Sequence, residues 1–248
     1  MIQMRTILLA IAFVFLNSCQ TAIEKTPSAK DIVNKAIQYT GGEKLDHSKL
    51  SFDFRDIHYA LNRNGGAFTM ERSFEKDSLQ VHDRYTNDNF ERKINGEISA
   101  ISDSLASLYR QSVNSVFYFA LLPYKLNDAS VIKDYLAIDT ISGKSYHKIK
   151  ISFEEEGGGE DFEDEFIYWF NTENYALDYL AYSFHTDGGG MRFREAYNER
   201  FINGIRFVDY KNYKPKNKSL GFNQLRDAFV NGDLELLSKI ELRNIVVD

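Results

Sequence analysis

The sequence predicts an α+β fold that is mostly antiparallel β, and three observations carry the prediction. The 248 residues include 19 Phe and 15 Tyr but only 3 Pro, and aromatic and β-branched residues favour strands. Segments of alternating hydrophobicity are punctuated by hairpin signals, Asn95-Gly96 and Asn203-Gly204 among them. Two stretches, one early and one central, switch to helical spacing.

Bulk properties narrow the class. Hydrophobic residues make up 43% and charged residues 27%, enough apolar surface for a core. The net charge is −6, and the one basic stretch runs from Lys211 to Lys218. Nucleic acid is therefore not expected as a partner. The chain has 1 Cys, which excludes an internal disulfide and a Cys-ligated zinc site.

Residues 1–18 have the form of an export signal. Arg5 gives a positive start and Ile7 to Leu16 is an apolar run, too short for the roughly 20 residues a membrane helix needs and suited to a signal-peptide core. The run ends in Leu16-Asn17-Ser18-Cys19, which resembles the bacterial lipobox, with Asn17 less usual at its position. The resemblance implies cleavage before Cys19, diacylglycerol on its sulfur and acylation of the new N-terminus, hence membrane attachment through lipidated Cys19. The alternative is an ordinary signal or anchor with an incidental Cys. Gln20 stands where enterobacterial inner-membrane retention uses Asp, which favours the outer membrane. The polar stretch from Gln20 to Lys30 has no strong acidic run, which favours the periplasmic face. Residues 19–27 are read as a tether and 28–248 as one domain.

In that domain Ser28 to Tyr39 is the expected first helix, with Ser28 as N-cap, Asp31 three residues on and an apolar stripe through Ile32, Val33, Ala36 and Ile37. Gly41-Gly42 ends it. Strands are expected over Leu50–Tyr59, Ala67–Phe74, Leu79–Tyr85 and Phe90–Ile94. Ser102 to Leu122 is the central helix, with Leu105, Leu108, Tyr109, Val113, Val116, Phe117 and Ala120 at helical spacing, stopped by Pro123. Val131 to Leu136 reads as a short helical turn. Strands resume over Tyr146–Glu154, Glu163–Phe170, Ala176–Thr186, Met191–Arg200 and Ile205–Tyr213, and Leu234–Val247 is expected to close the sheet.

Turn positions suggest registers for the later strands. They pair Trp169 with Ala176, Glu165 with Leu180, Thr186 with Met191 and His185 with Arg192. Phe166, Tyr168, Leu177 and Tyr179 then share one face, and Ile167, Trp169, Leu180, Tyr182, Phe184, Phe193 and Tyr197 the other. An exposed antiparallel sheet usually has one wet face. Two apolar faces require two coverings, so the second is either more protein or a cavity lined for an apolar ligand.

The order helix, long meander, central helix, further strands resembles the LolA/LolB-like lipoprotein-carrier fold. That resemblance implies an unclosed β-barrel or strongly curved sheet with helices packed on one side, and acyl chains as ligands. LolA itself has no lipid anchor, so the anchored arrangement is nearer LolB. The stretches Ser115–Tyr124, Asp164–Phe170 and Asp178–Tyr182 also look like a Bacteroidota lipoprotein family without an assigned activity.

Two polar clusters stand out. Residues 154–165 carry dense carboxylates around Gly157-Gly158-Gly159, either a wrap for Ca²⁺ without the EF-hand order or a solvated loop that blocks edge pairing. His185, Asp187, Arg192 and Arg194, approached by Glu160 and Asp161, would either hold an anionic headgroup, do acid–base work or form a salt-bridged sheet end. His47, His58, His82 and His147 lack metal-binding spacing, and no G-x-S-x-G elbow occurs. No catalytic residue, metal or cofactor is expected. The leading expectation is a membrane-tethered, non-enzymatic binding protein for a lipid or other acylated ligand, with Trp169, Tyr182, Phe184, His185, Arg192, Phe193 and Arg194 as candidate contacts. The alternatives are a partner-binding lipoprotein with a filled core and an envelope hydrolase using the 160–165 carboxylates with His185.

Overall fold

The computed structural model describes residues 27–156, 163–185, 188–217 and 219–248. Cys19, Glu160, Asp161 and Asp187 lie outside them, as does the middle of the acidic stretch that raised calcium. Helix α1 (Ala29–Tyr39) begins as expected: the Ser28 hydroxyl accepts from the Asp31 N–H while Asp31 reaches back to Ser28. This capping box satisfies two of the orphan donors of the first turn. Ile32, Val33 and Ala36 are buried along one face. Thr40 closes the helix, Gly41 follows at φ 73°, and α2 (Gly42–Leu45) is one short turn.

Seven strands form a first antiparallel sheet. They are β1 (Lys49–Phe54), β2 (Ile57–Asn64), β3 (Ala67–Lys76), β4 (Leu79–Thr86), β5 (Phe90–Ile94), β6 (Glu97–Ile98) and, from the far end of the chain, β14 (Leu242–Val247), in the order β14-β1-β2-β3-β4-β5-β6. The second sheet holds β7 (Val131–Ile141), β8 (Lys144–Phe153), β9 (Glu165–Asn171), β10 (Leu177–Phe184), β11 (Gly190–Ile202), β12 (Ile205–Pro215) and β13 (Leu234–Ile240), in the order β13-β12-β11-β10-β9-β8-β7. Helix α3 (Asp103–Ala120) connects the sheets, and α4 (Leu225–Val230) precedes β13.

Glu241 alone separates β13 from β14, so one step carries the chain from the edge of one sheet to the edge of the other. Buried Asp209 holds this junction: it accepts from Arg200 Nη2 at 2.8 Å, from Asn198 at 2.6 Å and from the Leu242 N–H at 3.0 Å. β6 and β7 are left as the outer edges. The architecture is thus the α+β, unclosed antiparallel arrangement that the strand and helix order implied.

Helix α3 lies between the two sheets because it is apolar on two sides. Val113 and Phe117 pack against the first sheet, with Phe117 5.6 Å from the Phe52 ring and 5.9 Å from the Tyr59 ring. Tyr118 and Phe119 pack against the second, beside Phe153, Phe166 and Tyr182. Helix α1 shares that second core with Leu126, Ile149, Tyr168, Phe170 and Tyr210. A third cluster covers the opposite face of the second sheet, where Leu225, Ala228 and Phe229 of α4 close over Trp169, Tyr179 and Phe193.

Several sequence expectations change. Leu50–Tyr59 is two strands, turned at Arg55-Asp56, where Arg55 sits at φ 56°. Val131–Leu136 is the start of β7, because Val131 and Tyr135 are needed on the core side of an edge strand. Leu234–Val247 is two strands in two sheets. The registers are three residues away from those expected: Trp169 faces Tyr179, Glu165 faces Ser183 and Arg192 faces Tyr182. In the β9–β10 hairpin the turn falls one residue later than expected, closed by the Asn171 N–H on the Ala176 carbonyl with Tyr175 at φ 62°, and a bulge between Leu177 and Tyr179 adds the rest. An odd slip moves a strand's side chains to the other face. Leu180 and Tyr182 therefore join Phe166 and Tyr168, while Tyr179 joins Trp169. The two odd slips cancel between β9 and β11, so Trp169 and Phe193 still share a face, 5.5 Å apart.

Candidate functional site

A cleft of about 340 Å³ opens between the sheets beneath α3. Ser115, Val116, Phe119 and Ala120 form its roof. Tyr182, Arg194, Val208, Tyr210 and Ile240 of the second sheet form its floor, and Phe54, Arg55 and Leu242 come from the strands around the junction. Asn212 and Ser238, hydrogen-bonded to each other at 3.2 Å, add a polar strip. The volume falls at the small end of the ~300–1,000 Å³ usual for small-molecule sites, which are mostly apolar with a few placed polar groups. This wall has that character. Among the described residues it contains two arginines and no carboxylate.

Arg194 is the unusual member. It is 7% exposed. Its Nη2 donates to the Tyr182 hydroxyl at 2.8 Å, and its guanidinium lies 4.0 Å from the Phe119 ring centroid, 5.0 Å from Tyr182 and 6.0 Å from Tyr210. Its Nε and Nη1 have no hydrogen-bond partner among the described residues. Of the other buried arginines, Arg72 pairs with Asp83 and Arg206 with Glu199 and Asp178, while Arg63, over the Phe68 and Tyr124 rings, also leaves its Nε without a partner among the described residues. Tyr168 and Tyr210, two phenols whose ionisation the charge of Arg194 would favour, do not neutralise it. Burial pushes both further into the neutral range. Tyr118, hydrogen-bonded to Tyr168 at 2.9 Å, is raised for the same reason.

The other expected site residues divide by position. Phe184 and Arg192 share the face of Tyr182 and Arg194 but lie nearer the strand ends, with the Arg192 guanidinium 4.9 Å from the Phe184 ring and its Nη1 on the Met191 carbonyl at 2.8 Å. Arg192 faces Tyr182 across the strands and is not the cross-strand neighbour of His185 that the expected register made it. His185 meets Asp164 at 3.4 Å on the rim, with a side chain 66% exposed. Trp169 and Phe193 lie under α4, on the face opposite the cleft, and are fully buried in the third cluster. The Trp169 indole N–H is satisfied by Asp139 at 3.0 Å. The structure therefore brings Tyr182 and Arg194 into the cleft, leaves Phe184, His185 and Arg192 near its end of the sheet, and separates Trp169 and Phe193 from all of them.

Phe119, Tyr210 and Leu242 escaped the sequence reading. Phe119 had a readable signal: with Tyr118 it falls off the Val113–Phe117–Ala120 stripe, and a helix apolar on more than one stripe is packed on more than one side. Tyr210 and Leu242 reach the cleft only through pairings remote in sequence and had no such signal.

The fold and the cleft together define a β-walled domain with a helix roofing its interior. The chain belongs to a family of unknown function (DUF6503), which it matches over residues 5–242. No curated protein matches it. Among solved structures it is similar to a LolA superfamily protein from Nitrosomonas europaea, at 9% identity over 90% of this chain and 92% of that one, with a TM-score of 0.47. A DUF1329 family protein from Desulfovibrio piger gives 11% identity, 90% and 94% coverage and a TM-score of 0.46. A candidate outer membrane lipoprotein-sorting domain from Vibrio parahaemolyticus gives 7%, 82% and 99%, and 0.43.

Proposed function

We propose that the protein is a lipid-anchored protein of the cell envelope that binds an apolar or acylated ligand in the cleft beneath α3 and does no chemistry on it. The observation that carries the reading is the open, largely apolar space between the sheets, walled by Phe119, Val116, Tyr182, Val208, Tyr210 and Ile240. A domain with three buried aromatic clusters has the means to fill such a space, yet the space between α3, the second sheet and the β13–β14 junction stays open. Attachment rests on Leu16-Asn17-Ser18-Cys19, and two or more acyl chains make a stable anchor. Gln20 and the tether favour the outer membrane and its periplasmic face. No helix among the described residues is long and apolar enough to cross a membrane.

A full-length Cys19→Ser chain tests both parts. It should appear in the soluble fraction, while the parent chain sediments with membranes and carries the mass of acyl groups on its N-terminal peptide. Native mass spectrometry of the Cys19→Ser chain, before and after solvent extraction, should show an adduct of lipid or acyl mass. A bare mass that stays unchanged after incubation with envelope lipids would sink the ligand reading. Weight would then move to partner binding, which exposed Ile132, Leu136 and Ile138 on edge strand β7 favour.

A further inference from the structure

We infer that the cleft is built for a single-chain amphiphile with an anionic head, and that Arg194 is the residue that receives the head. The inference rests on the cleft-binding reading above and adds the ligand's charge. A guanidinium that is more than nine-tenths buried has lost most of its hydration. Such charges in proteins are paired or hydrogen-bonded. Arg194 has one hydrogen bond, to a neutral phenol, and three aromatic rings around it. Rings stabilise a cation, but they leave Nε and Nη1 without acceptors. Those donors belong to a side chain of the cleft wall, where both nitrogens are covered, and no carboxylate among the described residues lines that wall to take them. A ligand's head, displacing the side chains that now cover those nitrogens, supplies the acceptor.

The same wall sets the rest of the ligand. Val116, Phe119, Val208 and Ile240 offer surface for an alkyl chain, and the modest volume suits one chain rather than two. Arg55, exposed at the β1–β2 turn on the cleft's border with its guanidinium over Phe54, adds a second positive charge. A guanidinium fits both carboxylate and phosphate. The shared requirement is a compact oxyanion at the end of one chain, as in a fatty-acid carboxylate or an alkyl phosphate.

The test is calorimetric titration of the full-length Cys19→Ser chain with decanoate, decyl phosphate, 1-decanol and decyltrimethylammonium. One or both anions should bind about ten- to a hundredfold more tightly than the alcohol, the range for hydrogen bonds to a charged group, and the cation more weakly than the alcohol. A preference between the two anions identifies which oxyanion the site takes. In Arg194→Met, which keeps length and loses charge, anion and alcohol should bind alike, with alcohol affinity retained. The ligand-free variant should resist urea at least as well as the parent, because an unpaired buried charge is destabilising. Equal binding of anion and alcohol by the parent chain overturns the charge assignment and leaves apolar binding standing. An anion preference that survives in Arg194→Met overturns the role of Arg194. Binding of none of the four overturns this inference and the ligand reading together.

Discussion

The Arg194 guanidinium lies 4.0 Å from the centroid of the Phe119 ring, and this contact joins the helix that roofs the cleft to the sheet that floors it. The pairing is a cation–π contact in a water-poor setting, worth about 0.5–2 kcal/mol. Phe119→Leu keeps apolar bulk and removes the ring face, so it should lower stability by about that amount in urea unfolding. In an Arg194→Met background the same substitution should cost less. If the two effects simply add, the contact has no energetic content.

Asp83 anchors the other side of α3. It is 0% exposed and accepts from Arg72 Nε at 2.6 Å and from Arg92 Nε and Nη2 at 2.6 and 2.8 Å. Arg72 goes on to Ser112 of α3 at 2.8 Å, and Arg92 lies 3.4 Å from the Tyr109 ring. Asp83→Asn leaves two guanidinium groups facing each other without their counter-charge. Removing one partner from a buried ion cluster costs about 3–5 kcal/mol, so a clear drop in the urea midpoint is expected. A change below about 1 kcal/mol would mean that the cluster is solvated in solution.

Stability should fall in mild acid through His147. Burial holds this imidazole's pKa below its ordinary 6.5, and Lys35 adds a smaller push in the same direction. Its Nδ1 has no partner among the described residues, and its ring stacks on Tyr175 at 5.9 Å. The folded state therefore binds the proton less readily than the unfolded chain. The neutral ring's contribution is complete above about pH 6.5 and is lost progressively below it, as the unfolded chain takes up a proton that the folded chain refuses. His147→Phe should flatten the stability profile in that window. An unchanged slope would assign the acid sensitivity elsewhere.

Gly41 tests the α1–hairpin contact. It sits at φ 73°, and a Cβ there would come 2.0 Å from the Gly204 carbonyl oxygen. Gly41→Ala should destabilise by at least about 1–2 kcal/mol from backbone conformation alone, with the clash added. Gly66→Ala, with nothing within 4 Å of its Cβ position, is the matched control and should be near neutral. Equal effects at both positions would argue against the Gly41–Gly204 approach.

Local signals were read with success where local physics decides. Ser28 is the expected N-cap of α1, accepting from the third residue on, and the helical pattern that begins at Ser102 is α3, with Ser102 as its cap. Asn95-Gly96 and Asn203-Gly204 turn with positive φ at both residues, the pairing hairpin twist demands. Val131–Leu136 was misread because an apolar segment on an edge strand, with Ile132 and Leu136 in solvent and Val131 and Tyr135 inward, imitates a helical stripe over so short a span. Tyr182 and Arg194 were named as candidates, yet with Trp169 and Phe193 beside them, because a three-residue slip is invisible in composition and decisive for which face a side chain takes.

The antiparallel β class, the two main helices, the Ser28 cap, the hairpin turns and the apolar character of both faces of the second sheet are legible in the amino-acid order alone. These follow from interactions within a few residues. Long-range packing sets the rest: Leu234–Val247 divides between two sheets, α3 is sandwiched between them, and Phe119, Tyr182, Arg194 and Tyr210 meet around one cleft. Those outcomes depend on registers and bulges, where one extra residue in a turn reassigns every later side chain. They also depend on burial, which Arg194 owes to the packing of α3 over its face of the sheet.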